Sequence, residues 1–360
     1  MASIISLTKL INIVPIFIFV SCFPPLMLSQ SFRSLQLPPK VTGPESIAFE
    51  FGTSRFYVGV ADGRILQYNG PRVGFRDFGF TGPNRSKRMC DGTTDPNLGP
   101  ICGRPLGLAF HYSLNKLYIC DAYFGLMVLG SSGKQATQVS AAADGEPYRL
   151  CDALDVHQPS GNVIFADSSA NYDLRNISKA VNANDSTGRL LMYNPDTDRV
   201  TVLIKNLSGP AGVAVSQDGA YVLVSNFINN STIRYWLRGP GANTYDVINL
   251  QERPDNIKRT AFGDFWRAAA LVKQPTRSLV PIGQRINGFG RVLRTVNFEA
   301  WYGNQLISEV QEFGGELYLG SLSAPFVGIF SFRLPSRVRV FTQNEKSSSS
   351  LSLQLGDIED

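Results

Sequence analysis

The chain has 360 residues, of which 43% are hydrophobic and 18% charged, and its net charge is +5. That balance provides for a large core and excludes wholesale disorder. The basic excess is spread without a block or nucleic-acid motif, which argues against a nucleic-acid partner.

Lys9 is the only charge before Arg33, and the apolar run from Leu10 to Val20 is broken by Cys22-Phe23-Pro24-Pro25. This pattern predicts a secretory signal peptide over residues 1–30, cleaved near Ser29 or Gln30. The run is short for a membrane span, and no later segment is apolar enough for one. Asn84, Asn176, Asn184, Asn206, Asn229 and Asn230 each begin an Asn-X-Ser/Thr sequon, as expected of a glycoprotein in the secretory pathway, vacuolar or extracellular.

A three-strand pattern then recurs six times. It opens at Ile47-Ala48-Phe49, Leu106-Gly107-Leu108-Ala109-Phe110, Ala153-Leu154-Asp155-Val156, Ala211-Gly212-Val213-Ala214-Val215, Asn256-Ile257-Lys258-Arg259 and Glu309-Val310-Gln311-Glu312-Phe313. The second strands, marked by Tyr57, Tyr118, Ile164, Leu223, Trp266 and Tyr318, follow at intervals of 43 to 61 residues. Units of this size, rich in turns (33 glycines and 21 prolines), are propeller blades. The expected fold is therefore all-β, a six-bladed β-propeller over residues 38–333, with a small-molecule substrate or ligand in its central channel.

Residues 160–190 read as a polar insert in the third unit, and residues 267–289 as a loop or short helix over one face. The tail, residues 344–360, has the composition of a disordered segment. Cys90 and Cys102 flank a Gly/Pro/Asp/Asn-rich loop and suit a disulfide. Cys120 and Cys151 suit either buried thiols or a second bridge. Asp121 and Asp167 occupy matching repeat positions and are expected to hold backbone turns. Lys258-Arg259 reads as a blade-bridging pair or as a binder of an anionic group. The two histidines, His111 and His157, sit at strand ends, where surface or structural roles are expected, and exclude a His-rich metal site.

Five motifs in order add a family likeness. They are Gly43-Pro44-Glu45-Ser46; Cys102-Gly103-Arg104-Pro105-Leu106-Gly107 leading to Leu117-Tyr118-Ile119-Cys120-Asp121-Ala122-Tyr123; Arg234-Tyr235-Trp236-Leu237-Arg238-Gly239-Pro240; Pro254-Asp255-Asn256-Ile257-Lys258-Arg259; and Glu312-Phe313-Gly314-Gly315-Glu316-Leu317-Tyr318-Leu319-Gly320-Ser321. Together they resemble the plant strictosidine synthase and strictosidine synthase-like family. The resemblance implies a six-bladed propeller, a Cys90–Cys102 disulfide, and a lyase-type Pictet–Spengler condensation of tryptamine with secologanin. One buried carboxylate serves that reaction by deprotonating the amine, assisting loss of water and accepting the ring proton.

The family's glutamate, counted back from Glu312, falls on Ser308, which cannot shuttle a proton as a carboxylate does. Glu309 is a possible substitute, although strand alternation points it to the opposite face unless a bulge re-aims it. The family also resembles calcium-dependent propeller esterases and lactonases. That resemblance implies a hydrolase alternative, with a calcium ion held by Glu45, Asp255 or Asn256, and Asp155 (or Asp152) in place of the ligand missing at Ala211. A non-enzymatic secreted binding glycoprotein is the third alternative.

Overall fold

The computed structural model describes residues 29–250 and 252–333. The expected signal peptide, except its last two residues, and the tail lie outside the described residues. Ser31–Ser331 form one compact unit.

The compact unit is a six-bladed propeller. Strand β1 (Ser29–Gln36) is the outer strand of the sixth blade. Blade one has β2 (Ile47–Phe49), β3 (Phe56–Gly59), β4 (Arg64–Tyr68) and β5 (Phe75–Phe80). Two short helices follow, α1 (Lys87–Cys90) and α2 (Gly99–Cys102). Blade two has β6 (Pro105–His111), β7 (Lys116–Asp121) and β8 (Gly125–Leu129). The short β9 (Lys134–Gln135) crosses back to pair in parallel with β5, and β10 (Thr137–Ser140) completes blade two. A small hairpin, β11 (Ala142–Ala143) and β12 (Glu146–Pro147), leads into blade three.

Blade three has β13 (Cys151–Val156), β14 (Val163–Asp167), β15 (Gly188–Asn194) and β16 (Arg199–Leu207), with α3 (Ile177–Asn182) inside the 160–190 insert. Blade four has β17 (Pro210–Val215), β18 (Tyr221–Asn226), β19 (Ser231–Trp236) and β20 (Tyr245–Ile248). Blade five has β21 (Arg253–Arg259), β22 (Phe265–Lys273), β23 (Ser278–Ile286) and β24 (Val292–Asn297). After α4 (Glu299–Tyr302), blade six has β25 (Glu309–Phe313), β26 (Glu316–Gly320) and β27 (Phe326–Arg333).

Starting the fold at residue 38 therefore leaves out β1, which closes the ring by giving the last blade its fourth strand. The expectation of a loop or helix over 267–289 is also corrected, because most of that stretch is the β22–β23 hairpin in blade five. Arg267-Ala268-Ala269-Ala270 has weak strand propensity. Its burial outweighs this: Arg267 is wholly buried, with Nε donating to Gln284 Oε1 at 2.8 Å and a terminal nitrogen donating to Glu252 Oε2 at 2.7 Å.

The core lies between blades. Apolar residues of each sheet pack on the next, as where Val156 and Phe165 of blade three meet Tyr118 and Leu126 of blade two. Phe49 stacks on Phe313 at 4.0 Å, joining blades one and six. Both disulfides form. Cys90–Cys102 closes the α1–α2 loop, and Cys120–Cys151 ties β7 to β13 across blades two and three. Asp121 and Asp167 hold turns as expected, accepting backbone N–H groups from Arg104 and from Arg149 and Leu150.

The innermost strands β2, β6, β13, β17, β21 and β25 surround the channel. Four of them carry a register shift near their start: at Pro105/Gly107, Cys151/Leu154, Pro210/Gly212 and Pro254/Ile257. Glycine permits close approach there. A Cβ at Gly107 would stand 2.7 Å from the Asp152 carbonyl oxygen, and one at Gly212 would stand 2.6 Å from that of Asp255. Such bulges re-aim side chains at one end of each inner strand.

Candidate active site

The bulged ends surround a cavity of about 220 Å³. Its walls are mostly apolar, with Leu106, Leu150, Ala211, Phe227 and Leu306 among them, and the insert contributes Leu174 and Ile177. Four charged residues reach it: Glu45, Asp152, Asp255 and Arg253. Asp152 and Asp255 lie inside the bulges of β13 and β21, so strand alternation does not fix where they point. Arg253 lies over the Phe227 ring, 5.4 Å from its centroid.

Glu45 is 2% exposed. Its Oε1 accepts from Asn256 Nδ2 at 3.0 Å, while Oε2 has no hydrogen-bond partner. Burial pushes its carboxyl well above the usual range; repulsion from Asp255, Asp152 and Glu309 adds to this, and Arg104 opposes it. Asp255 is raised in the same way, by burial and then by Asp152. Asp152 accepts from Ser168 Oγ at 2.9 Å. Burial drives it up to about 7, against the pull of Ser168 and Arg104. A small apolar chamber thus holds three carboxyl groups, all raised by burial, of which Asp152 loads and releases its proton near neutral pH.

Ser308 and Glu309 are both buried and neither lines this cavity. Ser308 Oγ donates to the Glu45 carbonyl oxygen at 2.8 Å, and its own carbonyl accepts from Asn256 N at 3.0 Å. It therefore joins blades six, one and five. Glu309 lies deeper in the channel, where its carboxylate accepts from Ser46 Oγ at 2.8 Å and Ile47 N at 2.7 Å and pairs with Lys258 Nζ at 3.3 Å. Burial raises its pKa, with Lys258 the main opposing influence.

The structure brings Glu45, Asp255 and Asn256 together and places Asp155 elsewhere. Asp155 sits three residues beyond Asp152 on β13, and its oxygens accept from Val156 N and Val215 N, both at 2.8 Å. Among the described residues, no three His, Cys, Asp or Glu groups are gathered to hold a metal ion. His111 and His157 lie at the far ends of inner strands, bonded to Ser113 and Ser160 respectively. Five of the six sequon asparagines are exposed, and Asn176 is half-buried.

The family model described as strictosidine synthase matches residues 152–240, which span β13 through β19. Strictosidine synthase-like 12 of Arabidopsis thaliana is 41% identical over 83% of this chain and 89% of its own length. The chain belongs to the strictosidine synthase-like family. The strictosidine synthase of Catharanthus roseus is 34% identical, with 80% of this chain and 83% of that protein aligned. Among solved structures, a gluconolactonase-type propeller superposes with a TM-score of 0.59 at 17% identity, covering 87% of this chain and 94% of its own. A luciferin-regenerating enzyme gives 0.52 at 13% identity, covering 84% and 95%. At such identities these two structures are alike in fold alone.

The sequence puts the position of the family's glutamate at Ser308, with Glu309 as a possible substitute, and offers Glu45, Asp255 and Asn256 only as metal ligands, with Asp152 in a supporting place. Arg253 and the lining residues Leu174 and Ile177 were missed. The available signal was position: Asp152 and Asp255 each precede the apolar run of an inner strand by one or two residues, as Glu45 does in blade one.

Proposed function

We propose that this protein is a small-molecule enzyme that carries out general acid–base chemistry with the carboxyl groups of the bulged channel end, on a largely apolar amine. The observation that carries this reading is the Asp152 carboxyl, raised to about 7 inside an apolar chamber beside two further acids. A protonated amine entering the chamber meets an excess of carboxyl groups over Arg253. Asp152 as carboxylate takes the ammonium proton and frees the amine to attack an aldehyde. It then returns that proton to the carbinolamine hydroxyl, which leaves as water, and collects the proton released when a ring closes. This is the family's condensation, with the proton-transferring group moved from position 308 to β13.

The test is product formation from arylethylamines and aldehydes, followed by mass spectrometry. Asp152→Asn is expected to lower turnover by about 10²–10⁴-fold, and Ser308→Ala to leave it intact. Undiminished turnover in Asp152→Asn would refute the assignment.

The unpartnered Oε2 of buried Glu45, with Asn256 on its other oxygen, favours a second reading as a calcium-dependent ester or lactone hydrolase. Glu45, Asn256 and Asp255 would hold the ion, which would polarise the carbonyl. Aryl ester hydrolysis that requires calcium and is lost in Glu45→Gln would replace the first reading with this one. For the compartment we propose the secretory pathway, ending in the vacuole or outside the cell. Two disulfides favour it, and glycans on the exposed sequon asparagines, found by peptide mapping, would establish it. Among the described residues no helix is long and apolar enough to cross a membrane.

A further inference from the structure

The channel has a second chamber, built from different chemistry. Glu45, Asp152 and Asp255 sit at or just before the starts of the inner strands. A cavity of about 110 Å³ is lined instead by residues near their far ends, including Phe49, Phe110, Asp155, Lys258, Arg259 and Gln311. Asp155 and Lys258 lie three positions along their strands from Asp152 and Asp255, beyond the bulges, so the two cavities open at different levels of the channel. Lys258, which lines this second cavity, pairs with the buried Glu309 at 3.3 Å and donates from Nζ to the Leu108 carbonyl at 3.1 Å.

The charges of the second chamber balance in number, Lys258 and Arg259 against Asp155 and Glu309, but they are not all paired. Asp155 is occupied by two backbone N–H groups. Glu309 is occupied by Ser46, Ile47 and Lys258. Arg259 donates from Nε to the Val215 carbonyl at 3.0 Å, and among the described residues no carboxylate forms an ion pair with it. Its two terminal nitrogens are left as a planar fork, the geometry that grips a carboxylate with two parallel hydrogen bonds. At the rim, Tyr112 lines the cavity and packs on Phe51 with ring centroids 5.3 Å apart, and Phe51 is 76% exposed. An exposed aromatic pair beside a half-buried cation suits a ligand with a flat apolar tail and an anionic head.

We infer that this end of the channel is a binding site for a small aromatic carboxylate, its head on the Arg259 fork and its ring on Phe51 and Tyr112. One unpaired guanidinium beside Asp155 matches a monoanion better than a dianion such as phosphate. The site is independent of any chemistry in the first chamber.

The test uses the full-length protein and titration calorimetry with benzoate, acetate and inorganic phosphate. Benzoate is expected to saturate one site, with acetate and phosphate weaker. Arg259→Gln is expected to weaken benzoate by about tenfold or more, while Arg253→Gln in the first chamber leaves it unchanged. Phe51→Ala, at an exposed position where folding is not at risk, is expected to weaken benzoate and spare acetate. Unaltered benzoate affinity in both Arg259→Gln and Phe51→Ala would overturn the proposal. So would loss of binding in Arg253→Gln alone, or phosphate binding as tightly as benzoate.

Discussion

Replacing Asp152 by asparagine is expected to make the protein more stable and less active, and the gain in stability should depend on pH. Burial lifts this carboxyl from 3.8 to about 7. Between those values the folded state holds a proton that the unfolded chain has released. Stability is therefore highest below about pH 4, falls as pH rises towards 7, and is level above it. At about 1.4 kcal/mol per pH unit the difference reaches about 4 kcal/mol. This is a ceiling, because the side chain is partly open to the cavity. Asparagine keeps an acceptor for Ser168 Oγ and carries no proton to lose. Urea unfolding should show Asp152→Asn more stable than the parent by about 2–4 kcal/mol at pH 8 and equal to it at pH 4. It should also have a flatter slope between, since Glu45 and Asp255 lose one repelling neighbour. A variant no more stable than the parent at pH 8 would refute the argument that this carboxyl is strained by its surroundings.

Lys258→Met should destabilise by about 3–5 kcal/mol, because it leaves Glu309 buried without its cation, and adding Glu309→Gln should recover much of that loss in urea unfolding. Glu309→Gln alone should lower the pKa values of Glu45 and Asp255, which it repels, so that the fall in stability with rising pH is smaller and ends at lower pH; an unchanged fall would contradict the coupling. Ser308→Ala removes the bond to the Glu45 carbonyl and should cost about 1 kcal/mol without changing turnover. Removing the Cys120–Cys151 bridge by double alanine substitution opens a loop with a sequence separation of 31 residues and should cost about 3–4 kcal/mol in the chain-entropy account, measured as a lower urea midpoint.

The blades were legible because each inner and second strand repeats a buried apolar run bounded by turn residues, from Ile47-Ala48-Phe49 to Leu317-Tyr318-Leu319. Blade five was misread where Arg267-Ala268-Ala269-Ala270 replaces branched residues with small ones and buries a paired arginine. Strand β1 was missed because its exposed residues, Gln30, Ser34 and Gln36 among them, carry no apolar alternation and its partner β27 is about 300 residues away in sequence. The site was harder to read, because counting from a motif assumes regular alternation. That assumption fails within the bulges at Cys151/Leu154 and Pro254/Ile257, which hold Asp152 and Asp255. It also gave the two adjacent residues of blade six one channel-facing side chain, whereas Ser308 and Glu309 are both turned to blade one, through Glu45 and Ser46 respectively.

The charges along the channel have an order that accounts for the acids at one end staying protonated. Three carboxyl groups gather at the bulged starts of the inner strands, where Arg253 alone shares their cavity and draws Asp255 down, and the remaining nearby cations are held elsewhere. Arg104 approaches Glu45 but spends its terminal nitrogens on the Gly43 and Leu322 carbonyls. Lys258 is held deeper by Glu309 and Leu108, and Arg259 by Val215. Each of these three cations is fixed by a backbone carbonyl, so none swings up to form a simple ion pair with Asp152 or Asp255. Backbone anchoring of Arg104, Lys258 and Arg259 thus leaves the acids on the apolar side of the channel. There the cheapest state at neutral pH keeps some of their protons, available to a substrate that needs them.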